Sequence, residues 1–192
     1  MRLSRYASVL WAQGLALALG GAADAASLPA EAVVAWKRDG QVEIRALSAP
    51  ALPASSPAPT ADTRVPLGSL WKLFVFAYLS ETRAAEPAYV CSASGSTPKN
   101  SEEEYCCHPG ESVTRAAALA KSCAPYFAFD RLGISKQAWQ QQWRTRTNVA
   151  WLFDPTQLQP QTDVPVAELL DVLDALPLQA RAEARDALLA VG

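Results

Sequence analysis

The pattern of hydrophobic and polar positions predicts one β-hairpin followed by several helices. Apolar and polar residues alternate around the turn dipeptide Asp39-Gly40, so residues 33–47 are predicted to form a hairpin. The run at residues 70–79 is apolar apart from Lys72, and it predicts a helix over roughly residues 69–83. Because a helix that is apolar on all sides belongs in a core, this helix is expected to be buried.

Helical patterns dominate the rest of the chain. Ser112 resembles an N-cap for a helix that continues to residue 121, and Pro125 suits the first turn of a helix over residues 126–132. Ser135 precedes a helix in which Trp139 and Trp143 lie one turn apart, a spacing typical of core packing. Two more helices are predicted at 166–191, separated by Pro177. These elements predict a helix-rich α/β (α+β) fold, a helical domain with a partial antiparallel sheet.

The first 25 residues have the pattern of a secretory signal peptide. Arg2 and Arg5 precede an apolar run over residues 9–21, and Ala23-Asp24-Ala25 fits the cleavage pattern. An uncleaved membrane anchor is the alternative, but it needs about 20 apolar residues. We therefore predict a secreted or periplasmic protein with no membrane span after cleavage near Ala25.

Composition and charge narrow the classes of function. Half of the 192 residues are hydrophobic and 19% are charged, as in a globular protein, so residues 26–192 are expected to form a single domain. The net charge of −2 gives no indication of nucleic-acid binding. No cofactor is predicted.

Four cysteines follow the predicted cleavage site. In an oxidising compartment this even number suggests disulfides, with three possible pairings. Cys106 and Cys107 are adjacent, and a bond between neighbours is strained, so we expect them to bond to Cys91 and Cys123 in an order that the sequence leaves open. A zinc site that includes His108 is the rival interpretation, although the spacing is not Cys-X-X-Cys.

Ser69 and Lys72 are the strongest candidates for chemistry. They are predicted to lie one helical turn apart on the same face of the apolar helix, where an ammonium group is costly to bury. Burial lowers the pKa of a lysine, so Lys72 could act as a base for the Ser69 hydroxyl. Ser96 and Lys99 have the same spacing, but they lie in a polar segment with a proline between them. A Ser-His-Asp triad would depend on His108, the single histidine.

Two stretches carry a resemblance to a known superfamily. The resemblance is to two motifs of the serine penicillin-recognising proteins, in the same order along the chain. The first motif resembles residues 66–79, which run from Pro66-Leu67-Gly68-Ser69 through Lys72 into the apolar helix, and the second resembles residues 116–127. The first stretch also resembles an uncharacterised family of secreted bacterial proteins with a Leu-Gly-Ser-Leu-Trp-Lys run. The resemblance implies a β-lactamase/transpeptidase-like domain with Ser69 as nucleophile, Lys72 as base and Ser122 as proton relay.

Two departures from the superfamily pattern limit what the resemblance implies. Ala124 stands where the superfamily has an asparagine, and Lys-Ser-Gly or Lys-Thr-Gly occurs nowhere in the chain. The expected domain is therefore C-terminally truncated. The implied function is acyl transfer on D-Ala-D-Ala-type peptides or β-lactams, with a peptidoglycan-type peptide or β-lactam as partner. The alternative is a non-catalytic, disulfide-braced periplasmic binding module or fragment.

Overall fold

A computed structural model describes residues 32–47, 59–91 and 106–190. Within these ranges the strands are β1 (Ala32–Arg38), β2 (Gln41–Leu47), β3 (Arg64–Pro66), β4 (Tyr89–Val90), β5 (Ser112–Val113) and β6 (Asp163–Pro165). The α-helices are α1 (Leu70–Thr82), α2 (Arg115–Ala120), α3 (Phe129–Leu132), α4 (Lys136–Arg144), α5 (Val166–Ala175) and α6 (Leu178–Leu189). Short 3-10 helices occupy Pro125–Phe127, Ala150–Phe153 and Pro155–Gln157. The predicted helix-rich α/β fold class is confirmed.

Some predicted features lie outside the described residues. They are the signal peptide at residues 1–25 and the second serine–lysine pair, Ser96 and Lys99. Among the residues that the structure does describe, no helix is both long and apolar enough to cross a membrane.

The chain divides into two compact units, one made of residues up to 64 with 165–170, the other of residues 65–164 with 171–192. The first unit contains the predicted hairpin. Strands β1 and β2 pair antiparallel from Ala32 opposite Leu47 to Arg38 opposite Gln41. Asp39 and Gly40 both have positive φ, 51° and 80°, as a two-residue turn that matches the strand twist requires.

The second unit is built around α1, the predicted apolar helix. Its side chains are buried along nearly the whole length, and it packs against α2 and α6. Trp139 and Trp143 are also fully buried, and the ring of Phe74 meets that of Trp143 edge to face at 6.2 Å. The indole Nε1 of Trp139 donates to the carbonyl of Leu152 at 2.6 Å. The tryptophan pair is therefore core packing, as its spacing predicts.

A partly buried polar network links α1, α2 and α6. The guanidinium of Arg115 donates to Ser80 Oγ at 2.9 Å, and Ser80 Oγ donates to Glu183 Oε2 at 2.7 Å. The Ser80 hydrogen bond, with a second from Gln179, holds the pKa of Glu183 below its usual value. Each of the three helices contributes one of the linked groups, so the network fixes their relative positions.

Two helix boundaries differ from the prediction. Ser112 and Val113 form β5, because they pair with Val90 and Tyr89. The true N-cap of α2 is Thr114, whose side chain accepts a hydrogen bond from the backbone N–H of Ala117.

The predicted helix over residues 126–132 is also interrupted. Ala128 is extended and separates a 3-10 turn at Pro125–Phe127 from α3. Local capping and strand pairing thus make these helices shorter than the hydrophobic pattern predicts. At the other end, Gly133 stops α3 with φ 61°, as predicted.

Candidate functional site

The turn before α1 fixes the position of Ser69. The backbone N–H of Leu67 donates to the carbonyl of Thr162, and that of Gly68 donates to the carbonyl of Pro160, each at 2.9 Å. Gly68 has φ 52°, a left-handed conformation that glycine adopts without strain. Ser69 then occupies the N-cap position of α1, with its side chain exposed.

The hydroxyl of Ser69 does not cap its helix. A serine at an N-cap normally accepts a hydrogen bond from a backbone N–H two or three residues further on. Ser69 makes no such side-chain bond. Its Oγ accepts hydrogen bonds from Ser122 Oγ at 2.8 Å and from Lys72 Nζ at 3.4 Å. The usual local partner is therefore replaced by two side chains.

Lys72 lies one turn into α1 and is only 6% exposed. Its ammonium nitrogen lies 2.8 Å from the backbone oxygen of Ser122 and 2.9 Å from Ser122 Oγ. The same nitrogen lies 5.6 Å from the centre of the Trp71 ring, within the range of a cation–π contact. These contacts explain how a lysine is accommodated in an otherwise apolar helix.

Ser122 follows the C-terminus of α2 in a Schellman motif. The N–H of Ser122 donates to the carbonyl of Leu119, and the N–H of Cys123 donates to that of Ala118. The residue at the position of Ser122 must be left-handed, and its φ is 56°. Glycine is the usual residue there, because a side chain costs roughly 1–2 kcal/mol in this conformation. The serine therefore gives up backbone stability and gains a hydroxyl group at this point.

The three side chains form one connected cluster, which we call the Ser-Lys-Ser cluster: Ser69, Lys72 and Ser122. Both hydroxyl groups are on exposed residues, while the amine is buried behind them. Through Ser122, the path from Ser69 Oγ to Lys72 Nζ consists of contacts of 2.8 and 2.9 Å, each shorter than the direct contact of 3.4 Å. The arrangement can pass a proton from an exposed hydroxyl to a buried amine.

Two disulfides brace the loop that carries Ser122. Cys91 is bonded to Cys107, and Cys106 is bonded to Cys123, the residue next to Ser122. Cys123 is fully buried. The sulfur atoms of Cys106, Cys107 and Cys123 lie within 4.8 Å of one another, but each belongs to a disulfide, whereas zinc requires thiolates. The cysteines are thus the braces that the disulfide interpretation predicts.

A cavity of about 530 Å³ lies near the Ser-Lys-Ser cluster, although none of the three cluster residues is part of its lining. Trp71 and Ala124, which line it, lie one residue from Lys72 and two residues from Ser122. Its other lining residues are Pro125, Ala128, Phe129, Asp130, Ile134, Lys136, Pro155, Thr156, Leu158 and Gln159. No pattern in the sequence indicated this cavity. Segments far apart in the chain form it, and the one available signal was the tryptophan beside Lys72.

The structure brings together the three residues that the sequence singled out, and it places His108 elsewhere. His108 is exposed, and its backbone N–H donates to Glu111 Oε2 at 2.9 Å. The hydrogen bonds of the Ser69 hydroxyl within the described residues are to Lys72 and Ser122. The arrangement around Ser69 is therefore not a Ser-His-Asp triad.

Comparisons with known proteins identify relatives of unassigned activity. Residues 98–192 match a family model described as "Predicted secreted protein (DUF2300)". The chain is also similar to "Uncharacterized protein YfaQ" of Escherichia coli (strain K12), with 49% identity over 118 residues. That match covers 62% of this chain and 21% of the relative, so the chain spans about a fifth of the length of that protein. No solved structure matches this chain.

These comparisons confirm one prediction and correct another. The description of the matching family confirms the predicted secreted or periplasmic location. The resemblance to the serine penicillin-recognising superfamily is wrong, because the matches are to a family described as predicted secreted proteins and to an uncharacterised protein, and neither is a penicillin-recognising or transpeptidase family. A serine and a lysine three residues apart at the start of an apolar helix form a motif so short that it can arise without common descent. The roles of Ser69, Lys72 and Ser122 stay predictions, since neither match assigns them.

Proposed function

We propose that this secreted chain carries a serine acyl-transfer site in which Ser69 attacks the carbonyl carbon of an ester or amide. The observation that supports this most directly is the diversion of the Ser69 hydroxyl from its helix cap to Lys72 and Ser122. D-Ala-D-Ala peptides and β-lactams are not proposed as substrates, because only the superfamily resemblance indicated them.

The first half of the reaction uses Lys72 as a neutral amine. With Lys72 neutral, the two hydroxyl groups turn so that Ser69 donates to Ser122 and Ser122 donates to Lys72 Nζ. The Ser69 proton then passes along this path while Ser69 Oγ bonds to the carbonyl carbon. The C=O electron pair moves onto oxygen, which becomes the oxyanion. The backbone N–H of Ser69 lies at the N-terminus of α1, where the helix dipole favours negative charge. Burial of the amine favours its neutral form, which this step requires.

The second half expels the leaving group. The oxyanion re-forms the C=O bond, and the bond from the carbonyl carbon to the leaving oxygen or nitrogen breaks. The proton on Lys72 returns through Ser122 to the departing atom. The product is an acyl ester on Ser69, which water or another nucleophile then attacks. Ser122 thus serves both proton transfers, and its exposed hydroxyl supports that role.

A second candidate function is a non-catalytic, disulfide-braced binding module. One feature of the same cluster favours it: within the described residues, Lys72 Nζ has three oxygen acceptors, two on Ser122 and one on Ser69. An ammonium group has three N–H donors, so these acceptors suit a charged lysine that holds the loop in place. In this alternative the hydroxyl groups are structural and Ser69 is never acylated.

Covalent labelling separates the two candidates. The oxidised full-length chain would be incubated with p-nitrophenyl acetate or a fluorophosphonate, and the intact mass measured. We expect a single adduct that peptide mapping assigns to Ser69 and that Ser69→Ala abolishes. Ser112→Ala, which removes another exposed hydroxyl from the same unit, is the matched control and should label normally. An unlabelled wild-type chain with both disulfides formed would favour the binding module.

A further inference from the structure

The cavity beside the Ser-Lys-Ser cluster has the size and walls of a small-molecule site. Its volume of about 530 Å³ falls within the usual range of roughly 300–1,000 Å³ for ligand pockets. Most of its lining is apolar: Trp71, Pro125, Phe129, Ile134, Pro155 and Leu158 are the larger contributors. Such walls favour an apolar group about the size of an aromatic ring.

Trp71 has a buried hydrogen-bond donor without an acceptor. The residue is 8% exposed, and its indole Nε1 meets no hydrogen-bond partner. A buried donor without a partner costs about 1–3 kcal/mol. Trp143 and Trp151 also have unpartnered indole nitrogens, but neither of them lines the cavity. Among the described residues, Trp71 is the one whose unpartnered indole belongs to the cavity lining, so its N–H resonance can report a ligand in the cavity.

The charged side chains around the cavity do not select a charged ligand. Lys136 and Asp130 are the two charged residues in the lining, one of each sign. The Lys136 ammonium lies 3.1 Å from Asp154 Oδ1, so its charge is already paired. The Asp130 carboxylate disfavours an anion and the apolar walls disfavour a cation, so the best ligand is neutral and has an apolar ring.

We propose that this cavity is the pocket for the acyl group of the substrate, and that it selects neutral aryl-bearing acyl groups such as arylacetyl. This inference rests on the proposed function, since it places the acyl group beside Ser69. The Lys72 Nζ–Trp71 ring distance of 5.6 Å links the cavity wall to the cluster. The ring would contact the apolar walls of the cavity, the Trp71 ring among them.

The first test measures binding without acylation. Nitrogen-15-labelled Ser69→Ala chain would be titrated with N-methylphenylacetamide, which has a ring and a carbonyl acceptor but cannot acylate this variant. We expect the indole N–H resonance of Trp71, assigned with Trp71→Phe, to shift with saturation. The indole resonances of Trp143 and Trp151 should stay in place. A Trp71 resonance that does not respond to millimolar ligand would overturn the proposal.

A cavity-filling variant tests the location of binding. Ala128→Phe places a ring in the cavity and should weaken binding of N-methylphenylacetamide by about tenfold or more, because a filled pocket has no room for a second ring. Ala182→Phe on α6 makes the same change at an exposed alanine outside the cavity lining and should leave the affinity unaltered. Equal affinities in the two variants would contradict binding in this cavity.

The second test measures selectivity in the reaction. For the wild-type chain, kcat/KM should be about tenfold or more higher with p-nitrophenyl phenylacetate than with p-nitrophenyl acetate. In Ala128→Phe this ratio should fall toward one, while Ala182→Phe should keep the wild-type ratio. If p-nitrophenyl acetate acylates Ser69 and p-nitrophenyl phenylacetate has no higher kcat/KM, the pocket assignment is wrong and the proposed function stands. If the amide binds but no ester acylates Ser69, the acyl-enzyme and the substrate role of the cavity both fail.

Discussion

Helices α1 and α4 both begin at a serine, and the two serines use their hydroxyl groups differently. Ser135 is extended, and its Oγ accepts the backbone N–H of Ala138 at 3.1 Å, which is ordinary N-capping. Ser69 has helical backbone angles and makes no cap, and its hydroxyl contacts Lys72 and Ser122. The same residue type at the same helix position thus stabilises one helix and is available for chemistry at the other.

The largest expected effect is on the acylation rate, which should depend on Ser69 and not on Ser135. Ser69→Ala should lower the rate of acylation by p-nitrophenyl acetate by at least about 10³-fold, because the nucleophile is lost. Ser135→Ala should leave that rate unchanged and lower the free energy of unfolding by about 1 kcal/mol, because a helix cap is lost. Stopped-flow acylation kinetics and urea denaturation check both. A wild-type acylation rate in Ser69→Ala would show that the diverted hydroxyl is not the nucleophile.

Lys72→Met tests whether acylation of Ser69 depends on Lys72 as a base. Acylation should fall by about 10²–10⁴-fold, the usual contribution of a general base. The fold should persist, because Ser122 and Ser69, which lose the ammonium donor, are exposed and water can take its place. Lys121→Met is the matched control: Lys121 precedes Ser122, is exposed and pairs with Glu111 at 3.2 Å. Equal acylation rates in the two variants, measured with p-nitrophenyl acetate, would assign Lys72 a purely structural role.

The disulfide next to Ser122 should affect the cluster more than the other disulfide does. Both close loops of similar length, with sequence separations of 16 and 17, so losing either should cost about 3 kcal/mol of unfolding free energy. Replacing Cys106 and Cys123 by serine should also slow acylation, since Cys123 fixes the Ser122 loop. Replacing Cys91 and Cys107 by serine serves as the control. Chemical denaturation and acylation kinetics on both double variants measure the difference, and equal rates would contradict a specific link to Ser122.

A smaller effect on stability is expected from the left-handed backbone at Ser122. Ser122 is the hydrogen-bond partner of Ser69, whereas the Ser135 hydroxyl bonds to the backbone of its own helix. Ser122→Gly should be about 1 kcal/mol more stable to urea than Ser122→Ala, because glycine accepts φ 56° without strain. Both variants lack the relay hydroxyl and should acylate equally slowly. If the alanine variant were as stable as the glycine variant, the left-handed conformation would not be the reason for the cost at this position.

The sequence revealed the members of the cluster but not the geometry that joins them. The apolar run identified α1, and the Pro-X-Gly turn placed Ser69 at its start, since both signals are local. The Schellman motif at Ser122 was not predicted, because serine replaces the glycine that marks such a turn. The cavity depends on the packing of distant segments, and the disulfide pairing was one of several that the spacing allowed. Local patterns therefore indicated Ser69 and Lys72, and the superfamily resemblance, itself wrong, indicated Ser122. Tertiary contacts determined what the three residues can do together.

The smallest expected effect is a pH dependence at the start of α4, the ordinary capping region. Asp154 Oδ1 accepts hydrogen bonds from Lys136, the first residue of α4, and from the N–H of Thr156, and these bonds lower the pKa of Asp154. A carboxyl whose pKa is lower in the folded state adds stability above its unfolded value of about 3.9, and that stability is lost as the pH falls through the folded value. The difference in unfolding free energy between the wild type and Asp154→Asn should therefore be constant above about pH 5 and shrink below about pH 4. Urea denaturation across this range checks it, with Asp130→Asn as the control. A difference that stays constant below pH 4 would show that Asp154 does not stabilise the start of α4 through its charge.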